Sequence, residues 1–409
     1  MTQDSNAIRI KANLLLGGSR YLLPVIKSAH ELGLYVITCD YLPDNIAHKY
    51  SDEYVNVSII DKEAVLEAAK KLEIDGIMSF ATDPGVVTAA YVAEKLGLPY
   101  GGSYESVSIL QDKGRFRRFL TEHNFNVPHA KSYEKLADAL SDTEFFTWPV
   151  IVKPVDSAGS KGVTRVDDKN ELRRAIEYAL EFSHCDQFII EDFIEKKGCS
   201  SDSDSFSIDG KLVATTFSSQ RFDVQSDNPY APMAFSWPST FSRKHEDELT
   251  SEIQRLLALL DMQSSIYNIE TREGVDGKAY IMEVSPRGGG NRLAEMIRYA
   301  SGVDMIKAAV QAAVGLPIDK VKQPQYDGCW AEYVLHSRVD GNFKELWIEP
   351  DFAAKNVIEV DLWVKKGEEI HSFTAANFAI GTVVMKFASE EELESKLSSM
   401  ERYIKVIVE

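Results

Sequence analysis

Lys153 and the loop that follows it have the residue types that bind phosphate groups. Lys153 follows the apolar run Val150–Val152 and precedes the segment DSAGSKGV at residues 156–163. Backbone N–H groups of a glycine-rich turn can point together at phosphate oxygens, and a lysine adds positive charge. The glycines would let the loop close as a lid, although a surface hairpin with a solvated lysine is the alternative. The predicted phosphate-binding residues here are Lys153, Ser157, Gly159, Ser160, Lys161 and Gly162.

Two glutamates lie on neighbouring strands of one predicted hairpin. Glu270 belongs to the strand 266–272, and Glu283 belongs to the strand 279–284, where it shares a face with Ser285 by period-two alternation. Two carboxylates beside a neutral oxygen suit Mg²⁺ held partly by ATP phosphates. Cross-strand pairing of Glu with Arg is the alternative, but the apolar neighbours of Glu283 indicate burial, where carboxylates need a counter-ion. The predicted metal ligands are Glu270, Glu283 and Ser285.

A turn with three consecutive glycines follows the second glutamate. The segment PRGGGNR at residues 286–292 sets these glycines between two arginines. Backbone donors and guanidinium groups in such a turn can bind phosphate or carboxylate. The alternative is a flexible connection to the helix that begins near Leu293. Arg287 is the predicted catalytic group, and weaker candidates for substrate contact are Gly289, Asn291 and Arg292.

Composition limits the class of protein. The chain has 409 residues, enough for two to four packed subdomains, with 44% hydrophobic and 26% charged residues. Its formal net charge of −18 argues against bulk binding of nucleic acid or acidic membranes. Four scattered cysteines without CxxC spacing, a polar N-terminus and no apolar run of about 20 residues predict a cytoplasmic protein.

The first hundred residues alternate short apolar runs with helical patterns. Strands predicted at 13–16, 34–39 and 76–80 are separated by helices at 22–32 and 62–72, and a helix at 86–96 follows. This βαβ order predicts a parallel, doubly wound sheet. The turn Gly17-Gly18-Ser19 lacks the GxGxxG fingerprint. We therefore interpret its glycines as a steric requirement of the strand-to-helix turn and not as a cofactor site, and an NAD-dependent dehydrogenase is a weak alternative.

Beyond Asp112 the pattern changes to antiparallel strands. Helices are predicted at 113–122, 170–182 and 245–260, and strands at 187–191, 205–208, 211–217, 266–272 and 279–284. A loop is predicted at 218–238, and the C-terminal part contains a strand at 382–387 and a helix at 389–403. We therefore expect an N-terminal domain at 1–111, a central domain at 112–320 with a lid at about 130–192, and a C-terminal subdomain at 321–409.

Taken in order, five short motifs resemble the ATP-grasp superfamily. They are Asp112-Lys113, Val152-Lys153-Pro154, the loop SAGSKGV, Ile190–Ile194, and the E-x-x-x-R that ends at Arg287. The chain is similar to the carboxylate–amine ligase branch, including L-amino acid ligases and the large-chain modules of carbamoyl-phosphate synthase and biotin carboxylase. The resemblance implies an α/β and α+β chain with the ATP-grasp fold. Its parts would be a doubly wound βαβ pre-domain, a two-lobed ATP-binding module and a C-terminal α+β segment.

The resemblance also implies a role for each motif. Lys113 and Lys153 would contact ATP, and the glycine loop would cover its β- and γ-phosphates. The adenine edge would be recognised by Glu191 and the backbone of Asp192, Phe193 and Ile194. Glu270 and Glu283 would hold Mg²⁺, with Mn²⁺ as an alternative, and Arg287 would stabilise the transferring phosphoryl group. These roles suit phosphoryl transfer, which depends mainly on positioning and electrostatic stabilisation.

Two departures from the family pattern affect this prediction. Ser285 replaces the usual asparagine of E-x-N-x-R, and this replacement would weaken the binding of a second metal ion. Gly198-Cys199-Ser200 replaces the usual Gly-x-Glu, so Glu195 becomes a substitute candidate for ribose contact. Arg221 and Trp237, in the predicted loop, are candidates for shaping the acceptor pocket, with packing as an equal alternative. Weaker pocket candidates are Tyr41, His371 and Asn377.

The expected function is ATP-dependent formation of an amide or peptide bond through an acyl phosphate, with release of ADP and phosphate. The expected partners are a small-molecule carboxylate and an amine, not nucleic acid or a membrane, and a homodimer is one assembly that this prediction allows. Two alternatives stay open within the fold. One is a bicarbonate-activating carboxylase or carbamoyl-phosphate-type enzyme, and the other is a non-catalytic nucleotide-binding protein.

Overall fold

The N-terminal part of the chain forms a parallel sheet. A computed structural model describes residues 10–157, 159, 161–223, 225–226, 228 and 230–409. Its first elements are β1 (Ala12–Leu16), α1 (Leu23–Glu31), β2 (Tyr35–Cys39), β3 (Glu53–Val55), α2 (Lys62–Leu72), β4 (Gly76–Ser79), α3 (Pro84–Leu96) and α4 (Tyr104–Gln111). The strand order is β3-β2-β1-β4, and every pairing is parallel. The predicted doubly wound βαβ unit is confirmed.

Local sequence signals explain several of these boundaries. All five residues of β1 are buried, as expected for a strand that helices cover on both faces. Asp61 caps α2 by accepting a hydrogen bond from the N–H of Ala64, and Ser103 caps α4 in the same way. The helix α3 ends at Gly97, whose φ of 66° is readily adopted by glycine.

A small antiparallel sheet follows and forms the lid. Its elements in chain order are α5 (Lys113–Glu122), β5 (Ala130–Tyr133), α6 (Leu136–Ser141), β6 (Val150–Pro154), β7 (Thr164–Val166), α7 (Leu172–Leu180) and β8 (Phe188–Asp192). The strand order is β5-β8-β6-β7, so β6 and β8 are adjacent central strands. Lys153 and Glu191 therefore lie on neighbouring strands of one sheet.

The rest of the chain builds three further sheets. The elements are β9 (Ser201–Ile208), β10 (Lys211–Ala214), β11 (Ser219–Phe222), β12 (Pro232–Trp237), α8 (Arg243–Leu259), β13 (Ser265–Glu273), β14 (Ala279–Ser285), α9 (Leu293–Ser301), α10 (Met305–Ala313), β15 (Cys329–Leu335), β16 (Gly341–Ile348), α11 (Pro350–Asn356), β17 (Val357–Leu362), β18 (Glu369–Ile370), β19 (Gly381–Phe387), α12 (Glu390–Leu397) and β20 (Ile404–Val408). The sheet orders are β10-β9-β13-β14, β11-β12-β15-β19-β17 and β18-β16-β20.

Three local predictions were wrong. The polar stretch before Ser205 is a strand from Ser201, because β9 pairs with β13 along its whole length. The predicted loop 218–238 contains β11 and β12, which pair in the C-terminal sheet through β15. The helix predicted at 389–403 ends at Leu397, and the chain then enters β20. In each case tertiary pairing outweighed local propensity.

The domain boundaries stay a prediction, because the sheets cross one of them. Residues 219–237 come from the middle of the chain, yet their strands lie in the sheet of the C-terminal segment. The largest hydrophobic core also joins distant segments, since Leu22, Trp237, Ile297 and Trp330 belong to it. Among the described residues, no helix is both long enough and apolar enough to cross a bilayer.

A buried carboxylate fixes the start of α8 against β13. Glu273 Oε1 accepts hydrogen bonds from the Ser242 N–H (2.9 Å), the Ser242 hydroxyl (2.9 Å) and His245 Nδ1 (2.8 Å). Burial raises the pKa of Glu273, but these donors outweigh it, so the pKa falls below its usual 4.5. The charged form is therefore the one that the fold stabilises.

We expect Glu273→Ala to lower the free energy of unfolding by about 2–3 kcal/mol at neutral pH, because three buried donors lose their acceptor. The stabilisation by Glu273 should be lost as the pH falls below about 4.5, since its folded pKa is lowered. Denaturant titration at several pH values measures both effects. The matched control is Glu67→Ala, an exposed residue paired with Lys70, which should change stability by about 0.5 kcal/mol or less. An equal effect of both substitutions would contradict the assignment.

Candidate functional site

A cleft of about 730 Å³ lies between the lid and the sheet β10-β9-β13-β14. The lid contributes β6, β8 and the loop after Pro154, and the opposite wall is formed by β9, β13 and β14. The turn 81–84 of the N-terminal sheet and the segment 375–377 also line it. The cleft therefore brings together residues from all three predicted parts of the chain.

Two lysines and one buried glutamate form the lid side of the cleft. Lys153 Nζ lies 3.0 Å from Glu191 Oε2, and Arg117 Nε lies 3.0 Å from Glu191 Oε1. Burial alone raises the pKa of Glu191, but Arg117 and Lys153 lower it to about 2. Lys113 Nζ donates to the Ser157 carbonyl at 2.9 Å and lies 3.2 Å from Glu283 Oε1. Two ammonium groups thus border the cleft in fixed positions.

The structure corrects the role expected for Glu191. Its side chain is 3% exposed, and its two carboxylate oxygens pair with Arg117 and Lys153, so they do not face a nucleotide base. Glu191 is better described as the residue that positions Lys153. Glu191 and the next three residues, Asp192, Phe193 and Ile194, line the cleft. The Arg165 guanidinium lies 4.4 Å from the centre of the Phe193 ring and covers this part of the hinge.

The glycine loop reaches the cleft at some of its predicted positions. Ser157, Gly159 and Lys161 line it. Ser160 lies outside the described residues. Gly162 does not line the cleft; its φ is +70°, and an added Cβ would lie 2.9 Å from Pro154 Cγ. Glycine at 162 is therefore required for packing of the loop against β6.

Three carboxylates lie in register on adjacent strands of the sheet β10-β9-β13-β14. Glu270 pairs in register with Glu283 on β14 and with Asp202 on β9. The side chains of Glu270 and Glu283 are 33% and 42% exposed, toward the cleft that both line. No three His, Cys, Asp or Glu side chains converge on one metal position among the described residues. That Glu270 and Glu283 bind a magnesium ion stays a prediction; such an ion would take its remaining ligands from phosphate and water.

Ser285 is less available than predicted. Its hydroxyl donates to Asp83 Oδ1 at 2.9 Å and accepts a hydrogen bond from Gln111 Nε2 at 2.9 Å. A metal would have to compete with both partners, so the structure does not favour Ser285 as a ligand.

Two aspartates on β9 were missed as site residues. Asp202 Oδ1 accepts from Asn268 Nδ2 at 2.6 Å, and Asp204 accepts from the Gly289 N–H at 2.9 Å. Burial, with Glu270 as a second cause, raises the pKa of Asp202 to about 8, and burial raises that of Asp204 to about 7. The alternation of Asp in SSDSDSFSI was the available signal, because period-two spacing puts both on one face.

Arg287 is held by an aspartate that was also missed. Arg287 Nε donates to Asp83 Oδ1 at 2.9 Å, and Nη2 donates to Asp83 Oδ2 at 2.7 Å. Nη1 donates to Asn268 Oδ1 at 3.1 Å and to the Gly288 carbonyl at 2.9 Å. Arg287 lines the cleft next to the glutamate pair, as expected, in an orientation set by these four bonds.

The weaker substrate candidates divide into two groups. Asn291 lines the cleft and accepts a hydrogen bond from the Tyr21 hydroxyl at 3.2 Å, and Asn377 also lines it. The residues that do not line it are Arg221, Trp237, Gly289, Arg292, Glu195, Tyr41 and His371.

Packing explains why four of these candidates lie elsewhere. Arg221 pairs with Glu394 of α12, and Trp237 is fully buried with its Nε1–H 3.2 Å from Ser203 Oγ. Arg292 pairs with Glu295 and Glu359, and the Gly289 N–H is used by Asp204. The alternative that these residues serve packing is the one that the structure favours.

Comparison with known proteins identifies the class. The family profile described as an ATP-grasp domain matches residues 146–295. Two curated relatives are the carbamoyl phosphate synthase large chain of a Thermoanaerobacter species and the formate-dependent phosphoribosylglycinamide formyltransferase of Bacteroides thetaiotaomicron. The first is 26% identical over 57% of this chain and 21% of its own length, and the second is 25% identical over 77% and 80%. Residues 146–295 are therefore similar to an ATP-grasp domain.

A solved structure of similar size has the same fold. The L-amino acid ligase from Bacillus licheniformis superposes with a TM-score of 0.80 at 20% identity, covering 98% of this chain and 99% of that one. The predicted fold class is confirmed. The chain spans only about a fifth of the carbamoyl phosphate synthase large chain that it matches.

We expect Lys153→Met to weaken binding of Mg-ATP at least tenfold, because a charge-assisted contact to phosphate contributes about 1.5–3 kcal/mol. The change keeps most of the aliphatic stem, and Arg117 remains as a partner for Glu191. Calorimetric titration measures the dissociation constant. Lys169→Met, on the exposed side of the lid, is the matched control and should bind as the wild type does. Equal affinity of the two variants would contradict the placement of the phosphates at Lys153.

Proposed function

We propose that the chain is an ATP-dependent carboxylate–amine ligase. The observation that carries this proposal is the pair Glu270 and Glu283, facing each other across two strands with Lys113 and Arg287 beside them in one cleft. Cations on both sides of a carboxylate pair suit a triphosphate and its metal better than they suit a neutral ligand. The similarity in fold to an L-amino acid ligase supports the same reaction class.

The reaction would proceed in two displacements. A carboxylate oxygen of the first substrate attacks the γ-phosphorus of ATP, the bond from that phosphorus to the bridging oxygen breaks, and ADP leaves. The nitrogen of an amine then attacks the acyl carbon, phosphate leaves, and the nitrogen loses a proton to give the amide. Each displacement moves negative charge, so its rate depends on prepositioned cations.

Named residues supply these requirements. Lys153 and Lys113 would bind the polyphosphate, and the loop from Ser157 to Lys161 would cover it. Glu270 and Glu283 would hold Mg²⁺, which neutralises phosphate charge when bound; Mn²⁺ is an alternative ion. Arg287 would contact the transferring phosphoryl group. The backbone of residues 192–194 would bind the adenine, and Asn291 lies at the other end of the cleft, where the acceptor substrate would enter.

A bicarbonate-activating or carbamoyl-phosphate-type reaction is the second candidate. The carbamoyl phosphate synthase large chains among the relatives favour it, although this chain covers only 21–28% of the two with the highest-ranked matches. The same cleft could hold bicarbonate as the carboxylate. The two candidates differ in the first substrate and not in the ATP chemistry.

Phosphate release distinguishes these candidates. Purified protein is incubated with Mg-ATP, a library of amino acids and other carboxylates, and separately with bicarbonate. Release that needs an organic carboxylate supports the ligase, and release with bicarbonate alone supports the second candidate. Nucleotide binding without turnover under any pair would indicate a non-catalytic protein and contradict the proposal.

We expect Glu283→Gln to abolish turnover, by at least about 10²-fold, because a neutral amide holds a divalent cation poorly. The fold should persist, since the Glu283 side chain is 42% exposed and Gln keeps its shape. Phosphate release and the thermal unfolding midpoint are measured together. The control Glu67→Gln, at an exposed site on α2, should retain full activity. Unchanged activity of Glu283→Gln would contradict the metal assignment.

A homodimer and a cytoplasmic location stay predictions. The edge strand β17 supports the dimer, because the apolar side chains of Ile358, Val360 and Leu362 are exposed on one of its faces. Light scattering of the purified chain should give twice the mass of 45.8 kDa and about that mass for Val360→Glu. A monomeric wild type would contradict this assembly.

A further inference from the structure

Three carboxylates act electrostatically on Arg287, and it bonds to one of them, Asp83. Besides Asp83, the charges of Asp202 and Asp204 act on its guanidinium. The two β9 aspartates and Asp83 approach from different parts of the fold, since Asp83 follows β4 of the N-terminal sheet. The orientation of the guanidinium is therefore set by the one carboxylate that accepts its hydrogen bonds.

The geometry points to Asp83 as the positioning residue that aims Arg287 at the transferring phosphoryl group. This inference rests on the proposed function. Asp83 accepts both Nε and Nη2, which is the paired geometry that fixes the plane of a guanidinium. It also accepts the Ser285 hydroxyl, so two side chains of the segment after Glu283 are held by one carboxylate. Asp83 would not itself contact the substrate.

The turn that carries Asp83 is docked on the loop that carries Arg287. The Ala81 N–H donates to the Gly288 carbonyl at 3.0 Å, and Ala81 has a φ of 53°, which is uncommon for a residue with a Cβ. A Cβ added to Gly288 would lie 2.2 Å from the Phe80 ring, so this contact requires glycine. Backbone and side-chain contacts thus fix the same two segments against each other.

Asp83 is available for this role because it is not needed to cap its own helix. It precedes α3 at the N-cap position, yet its side chain makes no capping hydrogen bond. Burial raises the pKa of Asp83, but Arg287 and Ser285 outweigh it and lower the pKa below its usual value, so the group stays charged at neutral pH. A charged Asp83 gives Arg287 its bidentate partner on the side away from β9.

The consequence is that the N-terminal domain takes part in the chemistry through the orientation of Arg287. If Asp83 loses its charge, Arg287 loses the bidentate partner that fixes the plane of its guanidinium. Arg287 would remain present and charged but misdirected. Misplacement by about 1 Å can cost a large part of the rate in such sites.

Mg-ADP with aluminium fluoride, a mimic of the transferring phosphoryl group, tests the inference without knowledge of the substrate. In the wild type, fluoride and aluminium should tighten binding of Mg-ADP. We expect Asp83→Asn to reduce that tightening at least about tenfold and to leave the affinity for Mg-ADP alone within about twofold. Arg287→Met should lose the tightening, and the double variant should be no worse than Arg287→Met, because the two act as one unit.

The controls separate positioning from folding. Asp61→Asn, which changes another aspartate at a helix N-cap position of the N-terminal domain, should leave the tightening unchanged. Asp83→Glu keeps the charge and should retain more of the tightening than Asp83→Asn. Asp83→Ser, which also removes the charge, serves as the test if Asp83→Asn does not fold. Thermal unfolding of every variant is measured in parallel.

Two outcomes would overturn different statements. If Asp83→Asn, or Asp83→Ser in its place, binds the fluoride complex as tightly as the wild type while Arg287→Met does not, Asp83 has no positioning role. If the wild type binds Mg-ADP but aluminium fluoride does not tighten it, the proposed phosphoryl transfer itself is contradicted, whatever Asp83 does.

Discussion

The cleft depends on the pairing of charges that the fold removes from water. Glu191 lies between Arg117 and Lys153, and both Glu191 and Arg117 are nearly inaccessible to solvent. Removing one partner of a buried ion pair costs about 3–5 kcal/mol, because the other charge remains unpaired. The lid can therefore present Lys153 in one place only as long as Glu191 holds it there. A phosphate-binding lysine and a structural glutamate are in this way one unit.

The opposite wall of the cleft, formed by β9, β13 and β14, has more carboxylates than cations. Asp202, Glu270 and Glu283 lie in register on adjacent strands, and the raised pKa of Asp202 reflects its burial together with the charge of Glu270. A divalent cation bound at Glu270 and Glu283 would offset this repulsion. The same sheet that positions the ligands thus also creates the need for the ion. Arg287, held by Asp83, adds a fixed positive charge at the edge of this cluster.

The ATP-grasp fold leaves the organic substrates open. Structures with this fold include an L-amino acid ligase, a phosphoribosylglycinamide synthetase and a biotin carboxylase, so a shared architecture serves several acceptors. In this chain the cleft is lined by Tyr21, Asn291 and the segment 375–377, among other residues, and these three come from distant parts of the sequence. Specificity therefore resides where separate segments meet.

The sequence by itself determined the parallel N-terminal sheet, the glycine loop after Lys153, and the pairing of Glu270 with Glu283. These features depend on local periodicity and on one hairpin, which a single stretch of chain encodes. It could not reveal that SSDSDS forms a strand, because Ser and Asp have low strand propensity and only pairing with β13 makes β9 regular.

Only the tertiary structure decided what the buried charges contact. The partners of Glu191, Ser285 and Arg287 lie 38 to 204 residues away in sequence at Arg117, Lys153, Gln111 and Asp83. The same holds for Arg221 and Trp237, whose side chains face packing partners and not the cleft. Sequence spacing fixes which residues share a strand face, but the packing of separate segments fixes which charges neutralise each other, because that depends on distance in space.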